Sequence, residues 1–495
     1  MDNEHDVGGV VFPLQPDGRR STSALGRSVV TDALRSVDPT GAKAAERDTN
    51  WRSGYLTHLR HLTVAGLGSR SDAVTIAHVG LDSLHHHMRV VGADGHDREL
   101  SSLQTVAPEA RLETIKLDGQ AEPEHELIIP YRGHRLQGDA LRRQLDLWVS
   151  DGIIEPSCAT AVRQVIDHPD WLSVPERTMV VLGAGAEMGP LPALLRWGAT
   201  VAAVDLPRPD IWTRILSTAH DAAGTLILPV APRTDPADDR SLDARAGLDL
   251  VDDVPAAAEW INQLVGPLLL GNYAYADGST HVRVATAVDA MTTRVHQARD
   301  DVALAFLATP TDAFAVPADT VAKSVQAYED RSRAAKVMAR PLRTVSGGRL
   351  LRRAYAPGVD PGICDALVPQ QGPNYALAKR VHRWRATVAR DQGTLVSMHV
   401  APATRTRSVM KNRALAAAYT GAHRFGVEIF DPDTTNTLMA ALLVHDLHTG
   451  GVQAHDQVWQ DEAHAAAHGG LWTCAYAPRS ALGLAALLGV GGARS

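Results

Sequence analysis

The spacing of apolar residues divides the chain into an N-terminal part with helical periodicity and a C-terminal part in which apolar runs alternate with helical segments. In "GDALRRQLDLWVSDG" (138–152), Leu141, Leu145 and Trp148 fall on one face, which predicts a helix. The uninterrupted apolar run "TMVVLGAG" (178–185) is typical of a strand buried on both faces of a parallel sheet. Similar runs follow at 199–205, 224–232, 265–278, 302–314 and 393–402. This alternation predicts a doubly wound parallel α/β sheet.

Shifts in composition predict three regions. Residues 1–50 are rich in Asp, Arg, Ser, Thr and Gly with little apolar periodicity, so we expect a flexible N-terminal segment. A mainly helical N-terminal domain is predicted over residues 51–175, and "SVPERT" (173–178) is interpreted as a linker. Residues 176–495 then form the domain that contains the sheet.

The bulk composition narrows the class of protein. A formal net charge of −7, with 45% hydrophobic and 21% charged residues, gives no reason to expect nucleic acid or an anionic membrane as a partner. The acidic N-terminus does not resemble a signal peptide, and no apolar window of about 18 residues predicts a membrane span. The three widely spaced cysteines fit no metal-ligand pattern, and the histidine clusters at 85–87 and 464–468 favour structural or solvated roles. We therefore expect a cytoplasmic protein without a metal site.

A glycine-rich turn follows the first predicted strand of the sheet. In "GAGAEMG" the glycines are Gly183, Gly185 and Gly189, and Asp205 ends the next predicted strand. Glycines at this place allow a tight turn and a close approach to a pyrophosphate, and a carboxylate at the end of the second strand can bind an adenosine ribose. Asp205 favours NAD over NADP, whereas Arg208 opposes that preference. These features also suit S-adenosylmethionine, so the turn alone leaves a methyltransferase open.

A tyrosine and a lysine open a predicted helix far along the chain. In "YALAKRVHRWRATVARDQG" (375–393), Tyr375 and Lys379 stand at i and i+4 and therefore share one helical face. The helix runs into the apolar strand "TLVSMHVAP" (394–402). A Tyr–Lys pair in this context is more informative than the isolated pair.

The order of these motifs resembles the short-chain dehydrogenase/reductase family. That family has a glycine-rich turn after the first strand, and "GAGAEMG" is similar to it, with Gly183 and Gly189 matching the outer glycines and Glu187 replacing the middle one. The resemblance implies that the residues of this turn, Met188 included, bind the cofactor. Asn272 in "GNYAYADG" (271–278) lies where the family carries an Asn at the end of its fourth strand. The resemblance covers roughly residues 178–450 and implies a Rossmann-type dinucleotide-binding domain.

The second half of the resemblance concerns catalysis. Thr309 and Thr311 in "LATPTDAF" (307–314) lie where the family has its catalytic Ser, Tyr375 and Lys379 match its Tyr-x-x-x-Lys helix, and Pro402 matches the turn beside its nicotinamide. The resemblance implies an NAD(P)-dependent oxidoreductase that transfers hydride between the cofactor and a carbonyl, alcohol or enoyl substrate. Tyr375 would be the acid/base. Lys379 would lower its pKa and hold the cofactor ribose, and one of the two threonines would bind the substrate carbonyl.

The chain also departs from the family pattern. Residues 315–373 stand between the threonines and Tyr375, and this insertion, with one extra helix predicted near 319–342, is expected to form a lid or part of the substrate pocket. We therefore expect a bulky small-molecule substrate. The helix after the fourth strand has His281 but no Asn to match the family's structural Asn. Two alternatives remain open, an S-adenosylmethionine-dependent methyltransferase and a non-catalytic nucleotide-binding scaffold. Members of the family often form homo-oligomers through the helices that flank the sheet.

Overall fold

A computed structural model describes residues 8–92, 94–108, 111–233, 239–452 and 454–490. Its strands are β1 (Gly9–Val11), β2 (Arg89–Val91), β3 (Asp97–Glu99), β4 (Glu113–Asp118), β5 (Ile129–Tyr131), β6 (His134–Leu136), β7 (Thr178–Leu182), β8 (Thr200–Val204), β9 (Thr225–Val230), β10 (Leu268–Asn272), β11 (Val302–Ala308), β12 (Ala313–Val316), β13 (Gly362–Asp365) and β14 (Val396–Val400). Its helices are α1 (Thr22–Arg35), α2 (Pro39–Glu46), α3 (Trp51–Ala65), α4 (Arg70–His87), α5 (Gly138–Ser150), α6 (Pro156–Asp167), α7 (Leu191–Arg196), α8 (Pro209–His220), α9 (Leu242–Arg245), α10 (Val254–Asn262), α11 (Thr280–Ala298), α12 (Ala318–Glu329), α13 (Arg333–Val345), α14 (Gly372–Asp391), α15 (Arg407–Lys411), α16 (Arg413–Gly421), α17 (Pro432–Thr449), α18 (Val458–Ala463) and α19 (Pro478–Gly489).

Seven strands form the central sheet in the order β14-β11-β10-β7-β8-β9-β4. The first six of these are parallel, and β4 adds an antiparallel edge beside β9. Numbered along the chain, the parallel strands lie in the order 6-5-4-1-2-3, which is the Rossmann arrangement. The predicted doubly wound α/β sheet is therefore confirmed. The strand order reverses between β7 and β10, which creates a crevice at their carboxyl ends.

Successive side chains of each strand point to opposite faces of the sheet, which explains why the strands carry apolar residues at both odd and even positions. In β7, Val180 belongs to one hydrophobic cluster, whereas Met179 and Val181 belong to a second cluster on the opposite face. In β10, Leu270 belongs to the first cluster and Leu269 to the second. Both faces of the sheet are therefore covered, and a strand in this position needs apolar side chains at odd and even positions alike.

The N-terminal region packs on the sheet layers. Helices α1, α3 and α4 contact α14 on one face of the sheet, and α6 contacts α17 on the other. Gly80 in α4 lies so close to the Trp384 ring of α14 that an added Cβ would come within 2.6 Å of it. The flexible segment predicted for residues 1–50 is wrong for residues 8–50, because α1 buries Val29, Val30 and Leu34. Residues 1–7 lie outside the described residues.

The helical region and the sheet share their hydrophobic clusters. The first cluster joins Leu84 of α4 to Val180 of β7, and the second joins Leu145 of α5 to Val181. The predicted linker at 173–178 thus does not separate two cores among the described residues. Helices α3 and α4 pack on α14, so this part of the helical layer beside the sheet is covered by the chain's own N-terminal helices.

The segment 315–373 adds two helices and a strand, and several of its residues, such as Val321 and Tyr355, belong to the first hydrophobic cluster. It contains α12 and α13, so the single helix predicted near 319–342 is in fact two helices. Strand β13 returns to pair antiparallel with β12. Helix α13 joins the C-terminal helix α19 through a third cluster made by Ala339, Leu351, Tyr476 and Ala481. Within the described residues, none of the helices is both long and apolar enough to cross a membrane.

Candidate functional site

The glycine-rich turn lies at the reversal point of the sheet. Gly183 has φ +77°, and a Cβ added to it would lie 2.6 Å from the Ala274 Cα that follows β10. Both the left-handed conformation and this close approach require glycine. The Gly183 and Ala184 amides donate to the Val204 carbonyl of β8, at 2.8 and 3.1 Å. The turn therefore ties together the ends of the three central strands.

Asp205 closes the turn from the second strand. Its carboxylate accepts hydrogen bonds from the Gly185 amide at 2.7 Å and from the Leu206 amide at 2.8 Å. Burial raises the pKa of Asp205, and the two amide hydrogen bonds oppose that shift. Arg208 instead pairs with the exposed Asp210 at 2.8 Å. The acid and the glycine turn are thus in direct contact, and the nearby arginine is engaged elsewhere.

The remaining residues of the glycine motif hold the turn against its surroundings. Glu187 accepts a hydrogen bond from the Arg407 amide at 2.7 Å, and its carboxylate lies 3.1 Å from the Arg407 guanidinium. Met188 is partly buried against the second hydrophobic cluster. An added Cβ at Gly189 would meet the Ala186 carbonyl of the same turn at 3.2 Å. Helix α7 begins only at Leu191 and has six residues, so the motif forms an extended turn before a short helix.

Tyr375 and Thr309 are brought together at the carboxyl end of β11. The Thr309 and Thr311 hydroxyls are hydrogen-bonded to each other at 2.9 Å, and Tyr375 lies beside Thr309. Burial raises the pKa of Tyr375 to about 12; the nearby Thr309 hydroxyl opposes this shift, and the charge of Asp312 adds to it. The charge of Lys379 is not among the causes. The expected lowering of the Tyr375 pKa by Lys379 is therefore wrong.

Lys379 lies one turn further along α14. Its ammonium has no hydrogen bond or ion pair with any residue that the structure describes. Burial lowers the pKa of Lys379 to about 8. A partly desolvated cation without an anion is costly, and an anionic or hydroxyl-bearing ligand would compensate for that cost.

Two histidines and an asparagine border the Tyr–Lys pair. The rings of His281 and Tyr375 lie 5.4 Å apart, and those of His281 and His382 6.5 Å apart. Asn272 donates to His382 Nε2 at 3.1 Å and accepts from the Ala274 amide at 3.2 Å. Asn272 thus connects the end of β10 to α14.

Both histidines are held in the neutral form. Burial lowers the pKa of His281 to about 3, with a further contribution from the Lys379 charge, and lowers that of His382 for the same reasons. Both ring nitrogens of His281 and Nδ1 of His382 are buried without a hydrogen-bond partner among the described residues. Sequence reasoning missed His382, although Tyr375, Lys379 and His382 follow an i, i+4, i+7 spacing that places all three on one face.

Pro402 lies in the buried loop after β14. Its carbonyl accepts a hydrogen bond from the Thr404 hydroxyl at 2.9 Å, and the Thr404 and Thr435 hydroxyls lie 2.7 Å apart. Beyond this loop is a pocket of about 200 Å³ whose lining includes Arg405 and Tyr419. Burial raises the pKa of Tyr419, and the charge of Tyr375 contributes. Tyr419 therefore lines the pocket and also lies near Tyr375.

The structure places the other polar clusters in structural roles. His85 contacts Asp289 at 2.7 Å, and His468 contacts Glu155 at 3.0 Å. Within the described residues, no group of three or more His, Cys, Asp or Glu side chains is arranged to hold a metal ion.

We expect the substitution Lys379→Met to change how stability depends on pH. The pKa of Lys379 is about 8 in the folded chain, below its usual 10.5. Between these values the unfolded state binds more protons, so Lys379 makes wild-type stability rise with pH across that window. The variant should be more stable than wild type at about pH 7 and should lose this rise. Urea midpoints measured across the window test this, with the exposed Lys116→Met as control. Equal pH slopes in wild type and Lys379→Met would contradict the assignment.

Comparisons with known proteins identify no family. No protein-family profile and no curated protein matches the chain. Among solved structures, one described as "Structure of A1-type ketoreductase" matches with a TM-score of 0.29 and 13% sequence identity. The match covers 55% of this chain and 46% of that chain. A likeness at this level carries no argument about function.

Proposed function

We propose that the chain is an NAD(P)-dependent oxidoreductase that transfers hydride between the cofactor and a carbonyl, alcohol or enoyl substrate. One observation carries the proposal. Tyr375, which lies beside Thr309 at the carboxyl end of β11, is one helical turn from the unpaired Lys379, next to the point where the sheet order reverses. Ligands of doubly wound α/β proteins bind at this position.

The residues around the crevice fit a dinucleotide. Gly183 and Gly185 would lie beside the pyrophosphate, and Asp205 would accept hydrogen bonds from the adenosine ribose, since each of its oxygens keeps a free lone pair. The unpaired Lys379 would hold the nicotinamide ribose, with Asn272 and Pro402 lining the same end. When bound, the nicotinamide supplies or accepts the hydride. The pairing of Arg208 with Asp210 supports NAD as the preferred form, because this arginine is not free for a 2′-phosphate.

The chain's own residues would transfer the proton and bind the substrate oxygen. With a pKa of about 12, Tyr375 is protonated at neutral pH and can donate to a carbonyl oxygen. Thr309 would hold that oxygen by a hydrogen bond. Lys379, one helical turn away and with a pKa of about 8, would return a proton to the tyrosinate that donation leaves. The neutral His281 and His382, which border Lys379, exclude bulk water from this pair.

A methyltransferase would use only part of this arrangement. The contact between Gly185 and Asp205 suits S-adenosylmethionine as well as a nicotinamide dinucleotide. Tyr375 beside Thr309 and the unpaired Lys379 would have no role in methyl transfer on that frame. These three residues therefore favour the oxidoreductase.

Turnover with a panel of ketones, aldehydes and enoyl compounds tests the proposal, using NADH and NADPH oxidation as the readout. We expect Thr309→Val to lower kcat by about a hundredfold, the usual effect of removing one hydrogen-bond donor to a reacting oxygen. Thr311→Val is the matched control, because Thr311 is hydrogen-bonded to Thr309 but does not affect the pKa of Tyr375. A larger loss in Thr311→Val than in Thr309→Val would show that Thr311, and not Thr309, contacts the substrate.

A further inference from the structure

Helix α13 and the turn after it form a local region of positive charge. Residues 333–353 contain seven Arg and Lys residues and no Asp or Glu, although the whole chain carries a formal net charge of −7. Two of the seven are engaged, since Arg343 donates to the Tyr328 hydroxyl at 2.7 Å and Arg353 pairs with Glu329 at 2.8 Å. The remaining five have no anionic partner in the part of the chain that the structure describes; they are Arg333, Lys336, Arg340, Arg349 and Arg352.

The same helix exposes apolar side chains. Ala339 is buried in the small cluster that α13 shares with α19. Val337, Leu342 and Val345 are 63%, 37% and 90% exposed. At 100° per residue, Val337 points away from Ala339 and lies beside Arg333 and Arg340. The outer surface of α13 therefore combines an apolar strip with a row of cations, which is typical of helices that lie in a membrane interface.

The C-terminal helix contributes to the same small cluster. Ala481 of α19 belongs to it together with Ala339 of α13. Near its end, α19 exposes Leu487, Leu488 and Val490 to 69%, 50% and 51%. Exposed aliphatic side chains thus occur on both helices that build this small cluster.

We propose that the outer face of α13 binds the surface of an anionic phospholipid bilayer. Charge complementarity selects this occupant, because each Lys or Arg near an anionic leaflet contributes about 1 kcal/mol of attraction. A second copy of the chain is a poorer occupant. A two-fold dimer through this face would bring the two rows of unpaired cations against each other. The exposed valines would enter the headgroup region, while the cations beside them would contact lipid phosphates.

Co-sedimentation of the full chain with vesicles tests the proposal. We expect binding to vesicles of phosphatidylcholine mixed with phosphatidylglycerol, no binding to phosphatidylcholine alone, and weakening by salt. The triple variant Arg333→Ser, Lys336→Ser, Arg340→Ser should lose about a hundredfold in affinity. The double variant Val337→Ser, Val345→Ser should also bind more weakly, because the apolar contact is lost. All five side chains are on the outer surface of α13, so the thermal midpoint should stay at the wild-type value.

The control variant Arg135→Ser, Arg142→Ser, Arg163→Ser removes the same amount of charge from strand β6 and helices α5 and α6, and it should bind vesicles like wild type. Equal losses in this control and in the α13 triple variant would overturn the proposal, since net charge alone would then explain binding. Absence of binding to anionic vesicles would also overturn it. So would full competition by polyglutamate together with wild-type affinity in the valine variant, because the face would then bind acidic polypeptides rather than a bilayer.

Discussion

The substitution Tyr375→Phe is expected to lower kcat by two to four orders of magnitude, the usual contribution of a positioned acid or base. Phenylalanine keeps the ring that lies 5.4 Å from His281 but removes the hydroxyl beside Thr309. The free energy of unfolding should therefore change by only about 1 kcal/mol. Cofactor affinity should stay close to wild type, because the role proposed for Tyr375 concerns the substrate oxygen. Steady-state kinetics and calorimetric binding measure the two effects separately.

Tyr275→Phe is the matched control for this prediction. Tyr275 also borders the site, with its ring 6.4 Å from that of Tyr375, but its hydroxyl donates to Asp277 at 2.8 Å and the side chain is half exposed. We expect near wild-type kcat from this variant. If Tyr375→Phe retained the activity of Tyr275→Phe, the acid/base role of Tyr375 would be excluded.

The substitution Asp312→Ala is expected to cost about 3–5 kcal/mol of stability, the typical effect of breaking a buried ion pair from one side. Asp312 lies directly after the Thr309–Thr311 turn, and its two oxygens accept from Arg380 at 2.8 Å and from Arg383 at 2.7 Å. All three side chains are buried, and Arg383 also forms two 2.7 Å contacts with the buried Glu462. Without Asp312, both guanidinium groups of α14 would lose an anionic partner. Urea denaturation with a linear extrapolation measures the loss.

Asp146→Ala provides the comparison at the surface. Asp146 pairs with Arg163, but its side chain is 71% exposed, so its removal should cost less than about 1 kcal/mol. A cost for Asp312→Ala no larger than for Asp146→Ala would mean that the buried network does not hold α14 in place. Because α14 carries Tyr375 and Lys379, we also expect Asp312→Ala to reduce kcat through displacement of the helix.

The sequence pattern was sufficient to predict the sheet and the positions of several candidate site residues. Strands β7, β8, β10 and β11 carry apolar side chains on both faces, and only burial on both faces requires that. The helical spacing of Tyr375 and Lys379 placed them on one face of α14. The position of Thr309 at the end of β11 agreed with its contact to Tyr375. These predictions therefore came mainly from local periodicity and from the positions at which strands end.

The features that the sequence did not predict depend on contacts between distant segments. Glu462 pairs with Arg383 from 79 positions away, and Asp312 from 71, and no local pattern indicates such partners. The sequence predicts a flexible segment over residues 1–50 because polar residues surround the short apolar face of α1, which becomes buried only against other helices. The pKa of Tyr375 was predicted in the wrong direction, because burial raises it and the charge of Asp312 adds to that shift.

Calorimetric titration of NADH, NADPH and S-adenosylmethionine into the wild-type chain and the Lys379→Met variant tests the central claim most directly. We predict that NADH binds the wild-type chain more tightly than NADPH, because Asp205 lies at the end of β8 and Arg208 is paired with Asp210. Affinity should fall about tenfold or more in Lys379→Met, the effect of losing a hydrogen bond from a charged group. S-adenosylmethionine should not bind. Binding of S-adenosylmethionine alone, or equal NADH affinity in both proteins, would contradict a nicotinamide site at Tyr375 and Lys379.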